Sequence, residues 1–367
     1  MRKLTFELEF ITPAFIGGAD PKDAELRPAS FVGLLRWWWR VVLATFIRNT
    51  EELFKYESLL FGSQDRAGSV YLRLVDVPKA SQKMNENLYI LGQGALGRKY
   101  INAKQKFKVV LICEDKYVKL LESLSRLAFN FGGIGYRARK GLGSMYIVGE
   151  EENLEVFKPQ HWEKILKDTG IKTETPNMDL PNLKNLTILK KTESFTDWED
   201  ALRKLGELYR EIRLKERKTP EYLSMVYYFL RNQSKNINPS RVELNNLPLG
   251  LPIMYSLARK EGDKTVRVQA QLTWKLDRED NVSDRRRAST VLFNIKPGSI
   301  YALVFKCKFL PEGASLRLQA KGKYWNNSNP RPKDFYIPAN IWERRYNTLL
   351  NSLIDNLERI GFRRVSI

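Results

Sequence analysis

The chain has 367 residues, long enough for two domains rather than one compact core. Its 62 Lys and Arg against 42 Asp and Glu leave a formal charge of +20, an excess that favours polyanionic partners, nucleic acid ahead of an anionic membrane surface. One histidine and two cysteines leave a zinc cluster, a disulfide framework or a Ser-His-Asp arrangement little to work with, so no cofactor and no metal are expected.

The first expected strand covers residues 3–11, where polar and apolar side chains alternate. Glu7 and Glu9 within it do not fit a signal-peptide core, and no apolar run approaches the roughly 20 residues that span a bilayer. A cytoplasmic protein with no membrane partner is therefore expected. A Gly-, Pro- and Asp-rich loop follows, and Ser30 is a plausible N-cap for a helix through FVGLLRWWWRVVLATFI. Leu34, Leu35, Trp38, Val42 and Phe46 share the expected core side of that helix, while Arg36 and Arg40 lie one turn apart on the other.

Strands are expected at 69–77 and 104–113, the second placing Lys104, Lys106 and Lys108 on one face. A helix over 116–129 runs into a glycine-rich loop, and 144–148 closes the sheet. This order in about 150 residues is what a ferredoxin-like domain with an inserted hairpin produces. A polar, proline-bearing linker is expected at 151–185. Beyond it come a helix at 198–218, strands at 267–274, 289–295 and 300–309, a basic loop KGKYWNNSNPRPKD, and a last helix at 340–359. IGFRRV at 360–365 echoes IGYRAR at 134–139, each after a helix, which points to a degenerate duplication. The expected fold class is therefore α+β, two tandem ferredoxin-like (RRM-like) domains at 1–150 and 186–367, each an antiparallel sheet with helices on one face.

Between Phe131 and Gly143 the chain reads FGGIGYRARKGLG. Gly132, Gly133, Gly135, Gly141 and Gly143 crowd around Tyr136, Arg137, Arg139 and Lys140. Glycine permits positive φ and close backbone approach, and exposed amides beside cations and an aromatic suit a phosphodiester strand. The alternative is a turn that needs unusual φ/ψ. The loop follows a helix rather than a strand and contains no GK[ST] step, so neither a Rossmann nor a Walker A loop fits.

GIGYRARKGLG is similar to the GhGxxxxxGhG signature of the RAMP superfamily of CRISPR-associated RNA-binding proteins, with Gly133, Gly135, Gly141 and Gly143 at its glycines. The opening ITPAFIGGADPKDAELRPASFVGLLRWWWR resembles the N-terminus of one RAMP subunit type of the type III-B Cmr effector complex. The resemblance implies assembly with other Cmr RAMP subunits around CRISPR RNA and target RNA, near the guide's 3′ end, in antiviral defence. It implies RNA contacts from the loop glycines with Arg137, Arg139 and Lys140, and target cleavage by another subunit.

Arg36 and Arg40 are a second candidate RNA contact, the alternative being side chains laid over the indoles with their charge in water. Lys104, Lys106 and Lys108 form either a phosphate track or solvated edge protection. Arg285, Arg286 and Arg287 are the densest cluster of the second half, with Asp277, Glu279, Asp280 and Asp284 close enough in sequence to pair with them. Some RAMP relatives are metal-independent ribonucleases that cut the CRISPR transcript. The only histidine here, His161, is remote in sequence from the loop, and Asp20, Asp23 and Glu25 match no metal cage, so binding without catalysis is expected.

Overall fold

The structure, a computed structural model, describes residues 1–18, 23–79, 83–214, 220–231, 233–242, 244–261, 264–276, 287–321 and 333–367. The first part of the chain forms β1 (Arg2–Phe10), α1 (Pro28–Ala44), α2 (Thr50–Phe61), β2 (Tyr71–Val75), β3 (Lys106–Cys113), α3 (Val118–Phe131) and β4 (Met145–Ile147). It continues through α4 (Pro159–Asp168), β5 (Leu186–Thr192), α5 (Trp198–Leu214), α6 (Pro220–Leu230), β6 (Ile253–Glu261), β7 (Lys264–Leu276), β8 (Val291–Lys296) and β9 (Ser299–Phe305). The last elements are β10 (Ala314–Lys321), β11 (Phe335–Ile337), α7 (Ala339–Arg359) and β12 (Arg363–Arg364).

The first sheet has the antiparallel order β2-β3-β1-β4, set by pairs such as Leu8↔Phe107 and Leu8↔Ile147. With α1 and α2 before β2 and α3 before β4, this is the ferredoxin-like β-α-β-β-α-β plan. Period-two alternation sends Phe6, Leu8 and Phe10 to one face, with Phe107, Val109 and Leu111 beside them in the core. Phe31 of α1 and Phe129 of α3 close that core, Phe31 against Phe107 at 5.5 Å and Phe129 against Phe6 at 5.7 Å.

The second sheet, β12-β5-β9-β8, repeats the same plan: its last strand pairs with its first, and its third strand separates the first from the second. IGFRRV, the expected echo, supplies β12. Two ferredoxin-like sheets in tandem are thus present, but the second is discontinuous in sequence. A third antiparallel sheet, β11-β10-β7-β6, uses segments inserted between its strands.

The chain forms two compact units, one of Met1–Tyr209, Val291–Cys307 and Gly361–Ile367, the other of Arg210–Thr290 and Lys308–Ile360. The expected boundary near residue 150 falls inside the first unit. Residues 151–185, read as a linker, carry α4, and Phe157, Trp162 and Leu166 are buried in the core that holds α1 and α3. Burial of these few apolar residues outweighs the polar composition around them. In the second unit, Trp342 of α7 donates to the Ala314 carbonyl at 2.8 Å, and Tyr346 stacks on Phe309 at 5.0 Å.

Helix α1 opens at Pro28, ahead of the expected Ser30 cap, because proline at the first helical position needs no amide partner. It ends at Ala44, and Asn49 caps α2 by accepting from the amides of Glu51 and Glu52 at 2.8 and 3.3 Å. The sequence reading placed no helix there.

Candidate nucleic-acid interface

The glycine-rich segment leaves α3 at Gly132 and folds into a turn clamped to residues 12–15. Tyr136 donates its amide to Phe15 O at 2.8 Å, Gly143 to Pro13 O at 2.9 Å, and Ile134 to Gly143 O at 3.2 Å. Inside the turn, Ala138 donates to Gly135 O and Lys140 to Arg137 O. Thr12 Oγ1 and Ser144 Oγ both donate to Gly141 O, at 2.7 and 3.0 Å. Gly135 has φ +87°, and a Cβ there would stand 2.4 Å from Phe15 O, so only glycine fits. The amides of residues 134, 136, 138, 140 and 143 already have acceptors in the protein. The expected cradle of amide donors is therefore reduced, which leaves the cations as the turn's main charged feature.

Each of those cations lies over an aromatic ring. Arg137, itself at φ +56°, donates from Nη1 to Ile90 O at 2.9 Å and from Nε to the Tyr136 hydroxyl at 3.2 Å. Its guanidinium is 5.5 Å from the Tyr136 ring centroid, and Arg98 approaches the same ring at 5.4 Å. The Arg139 guanidinium lies 5.0 Å from the Trp37 ring, and Lys140 Nζ lies 4.5 Å from the Tyr209 ring. A π face holds a cation without adding a counter-charge. The backbone beneath is fixed by β8: Phe293 donates its amide to Arg139 O at 3.0 Å, and Asn294 Nδ2 donates to Gly132 O at 2.8 Å.

Between α1 and the turn lies a cleft of about 330 Å³, walled by Leu34, Trp37, Ile134, Ala138 and Arg139, with Ser30 and the backbone of Gly132 to Gly135 at its edge. Trp38 also borders it but is fully buried beneath Gly132, whereas Trp37 is half-buried. Sequence reasoning placed Trp38 on the core side and left Trp37 and Trp39 open. The meeting of Trp37 with Arg139, 102 positions apart in the chain, carries no local signal.

The other candidates go elsewhere. Arg36 and Arg40 converge on the buried carboxylate of Glu57 in α2: Arg36 pairs with Oε1 at 3.2 Å and also donates to Phe61 O and Gly62 O, and Arg40 donates from Nη2 to Oε1 at 2.7 Å and from Nε to Oε2. They join α1 to α2 and leave the cleft to their neighbour Trp37. The hydrogen bond to Glu57 raises the Arg40 pKa further.

Lys104 sits in a turn at φ +63° before β3 starts, so it does not continue a period-two ridge. Lys106 pairs with Glu9 at 3.7 Å and Lys108 with Asp76 at 2.9 Å. Because β3 is an interior strand, edge protection does not explain them. Arg285 and Arg286 lie outside the described residues. Arg287, in the second unit, donates to Lys308 O at 3.2 Å beside Phe309.

His161 of α4 is 2.9 Å from Ser123 Oγ of α3, and burial pushes its pKa down. Asp23 pairs with Lys99 at 3.3 Å and Glu25 with Arg27 at 2.7 Å, while Asp20 lies outside the described residues. Among the described residues no group of three or more His, Cys, Asp or Glu could hold a metal ion, and no helix is long and apolar enough to cross a membrane.

Residues 7–146 match the family model of the RAMP superfamily. The CRISPR system Cmr subunit Cmr1-2 of Pyrococcus furiosus is 29% identical over 179 residues, covering 40% of this chain and 96% of that protein. Cmr1-1 of the same organism is 27% identical over 191 residues, covering 47% of this chain and 53% of that protein. The crystal structure of Cmr1 from Pyrococcus furiosus in its apo form aligns over 99% of this chain and 98% of its own, with a TM-score of 0.50 and 19% identity, a likeness of fold.

Proposed function

From a chain whose residues 7–146 carry a RAMP-superfamily domain and which is homologous to the Pyrococcus Cmr1 subunits, we propose a non-catalytic RNA-binding subunit of a type III-B CRISPR (Cmr) ribonucleoprotein. It works in the cytoplasm with the other Cmr RAMP subunits, on CRISPR RNA and target RNA near the guide's 3′ end. One observation carries the RNA-binding part: Arg137, Arg139 and Lys140, each seated over a ring, crowd one turn beside a cleft in a protein of net charge +20. Cations held this way are positioned in advance for phosphates, and phosphate contacts set register without reading sequence.

A metal-independent cut at a 2′-hydroxyl needs an acid or base near neutrality within hydrogen-bond reach of the substrate. His161, against Ser123 on the α3–α4 side, is not among the residues of the turn or cleft.

The test is binding of labelled, single-stranded, repeat-derived RNA across a salt series, followed by a denaturing gel. Neutralising about five phosphates gives a log K against log salt slope near −3.5 for a single strand. Replacing Arg137, Arg139 and Lys140 together by alanine should flatten that slope by about 2. A flat slope in the unaltered protein overturns the electrostatic mechanism. Cleavage of the repeat RNA without added metal replaces the non-catalytic reading with an endoribonuclease.

A further inference from the structure

We infer that the cleft between α1 and the glycine-rich turn receives one unstacked nucleobase of single-stranded RNA, with the Arg139 guanidinium over the Trp37 indole as its stacking platform. The inference rests on the RNA-binding reading and adds to it a contact with a base, where that reading needs only phosphates.

Size is the first argument. About 330 Å³ is at the low end of the roughly 300–1,000 Å³ of small-molecule sites, room for one base with part of its ribose and far too little for a duplex. Chemistry is the second. Unstacked RNA bases settle on aromatic rings and arginine planes, and here both are joined at 5.0 Å while Leu34, Ile134 and Ala138 supply apolar walls. Ser30 and the backbone of Gly133 and Gly135 add polar groups to this otherwise apolar lining.

A third observation is independent of the cleft's lining. Gly33 is exposed inside α1, and nothing lies within 4 Å of the position its Cβ would take. Glycine weakens a helix interior, and here no neighbour requires it. It lies three residues after Ser30 and four before Trp37, one helical turn from each, so the surface beside these two lining residues carries no side chain.

The experiment is an abasic scan, one position at a time, of a single-stranded repeat-derived RNA bound by the full chain. Loss of one stacked base should weaken binding about tenfold at a single position. R139K keeps the charge and loses the plane, so it should bind intact RNA about tenfold more weakly, keep the salt slope, and lose the abasic penalty. Gly33→Leu places a good helix former in open space and adds apolar bulk one turn from Ser30 and Trp37, and it should lose the penalty in the same way while its thermal unfolding stays intact. RNA that binds with its salt slope but tolerates every abasic position overturns the base site and leaves the RNA-binding reading standing. A sensitive position unaffected by either variant removes the site from this cleft. Absence of any RNA binding overturns both.

Discussion

Lys296 directs its ammonium to the carbonyl of Met145 at 3.3 Å, tying the end of β8 to the start of β4. The same nitrogen is 3.4 Å from Asn130 Oδ1 and 5.3 Å from the Phe131 ring, and the residue is 6% exposed. Burial pulls its pKa down to about 7. The folded protein therefore binds fewer protons than the unfolded chain between about pH 7 and the ordinary lysine value near 10.4, and stability rises with pH across that window by at most about 1.4 kcal/mol per unit. Below pH 7 both states hold the proton and this contribution is constant. Lys296→Met should raise stability at pH 7 and flatten the slope, measured by urea unfolding from pH 6 to 10. An unchanged slope contradicts the assignment.

Glu57 is 1% exposed and holds both Arg36 and Arg40. Glu57→Ala strands two cations between α1 and α2, and should destabilise the fold by roughly 3 kcal/mol. Thermal unfolding measures this. A loss below about 0.5 kcal/mol would mean that the pairs contribute nothing.

Gly135→Ala should destabilise the turn by about 2 kcal/mol or more, because the added Cβ meets Phe15 O at 2.4 Å and φ is +87°. Hydrogen exchange reads it directly: the Tyr136 amide, bonded to Phe15 O, should lose protection. Full protection in the variant would show that the backbone relaxes without strain.

Arg137 and Arg139 should separate in their effects. Arg137 fastens the turn to Ile90 O, so Arg137→Ala should cost about 1–2 kcal/mol of stability and loosen residues 88–100 in hydrogen exchange. Arg139→Ala leaves that bond in place, so residues 88–100 should keep their protection while RNA affinity falls. Equal effects of the two on both measurements would refute this division.

The first ferredoxin-like sheet was legible because its strands alternate and its helices carry long apolar faces, as in Phe6, Leu8 and Phe10 against Phe31 and Phe129. Of the second, the two apolar strands expected at 289–295 and 300–309 were legible, its last strand only as an echo, and its assembly not at all. Its four strands come from residues 186–192, 291–296, 299–305 and 363–364, and no local pattern announces pairing across such gaps. The misplaced linker has the same origin: Phe157 and Trp162 are too sparse to outweigh prolines and charges in a window average, yet each is fully buried. Arg36 and Arg40 looked available because their partner, Glu57, sits in a helix the sequence reading did not place.

Residue order alone determined the excess of positive charge, the shortage of histidine and cysteine, and a glycine-rich turn bearing three cations beside a tyrosine. Those are properties of composition and of neighbours along the chain. Tertiary structure decided which cations meet carboxylates and which meet rings, that the turn's amides are largely used internally, and that Arg139 rests on Trp37 beside a cleft. Such choices depend on contacts between residues far apart in sequence, where packing and the satisfaction of buried polar groups select the partner and local propensity has no influence.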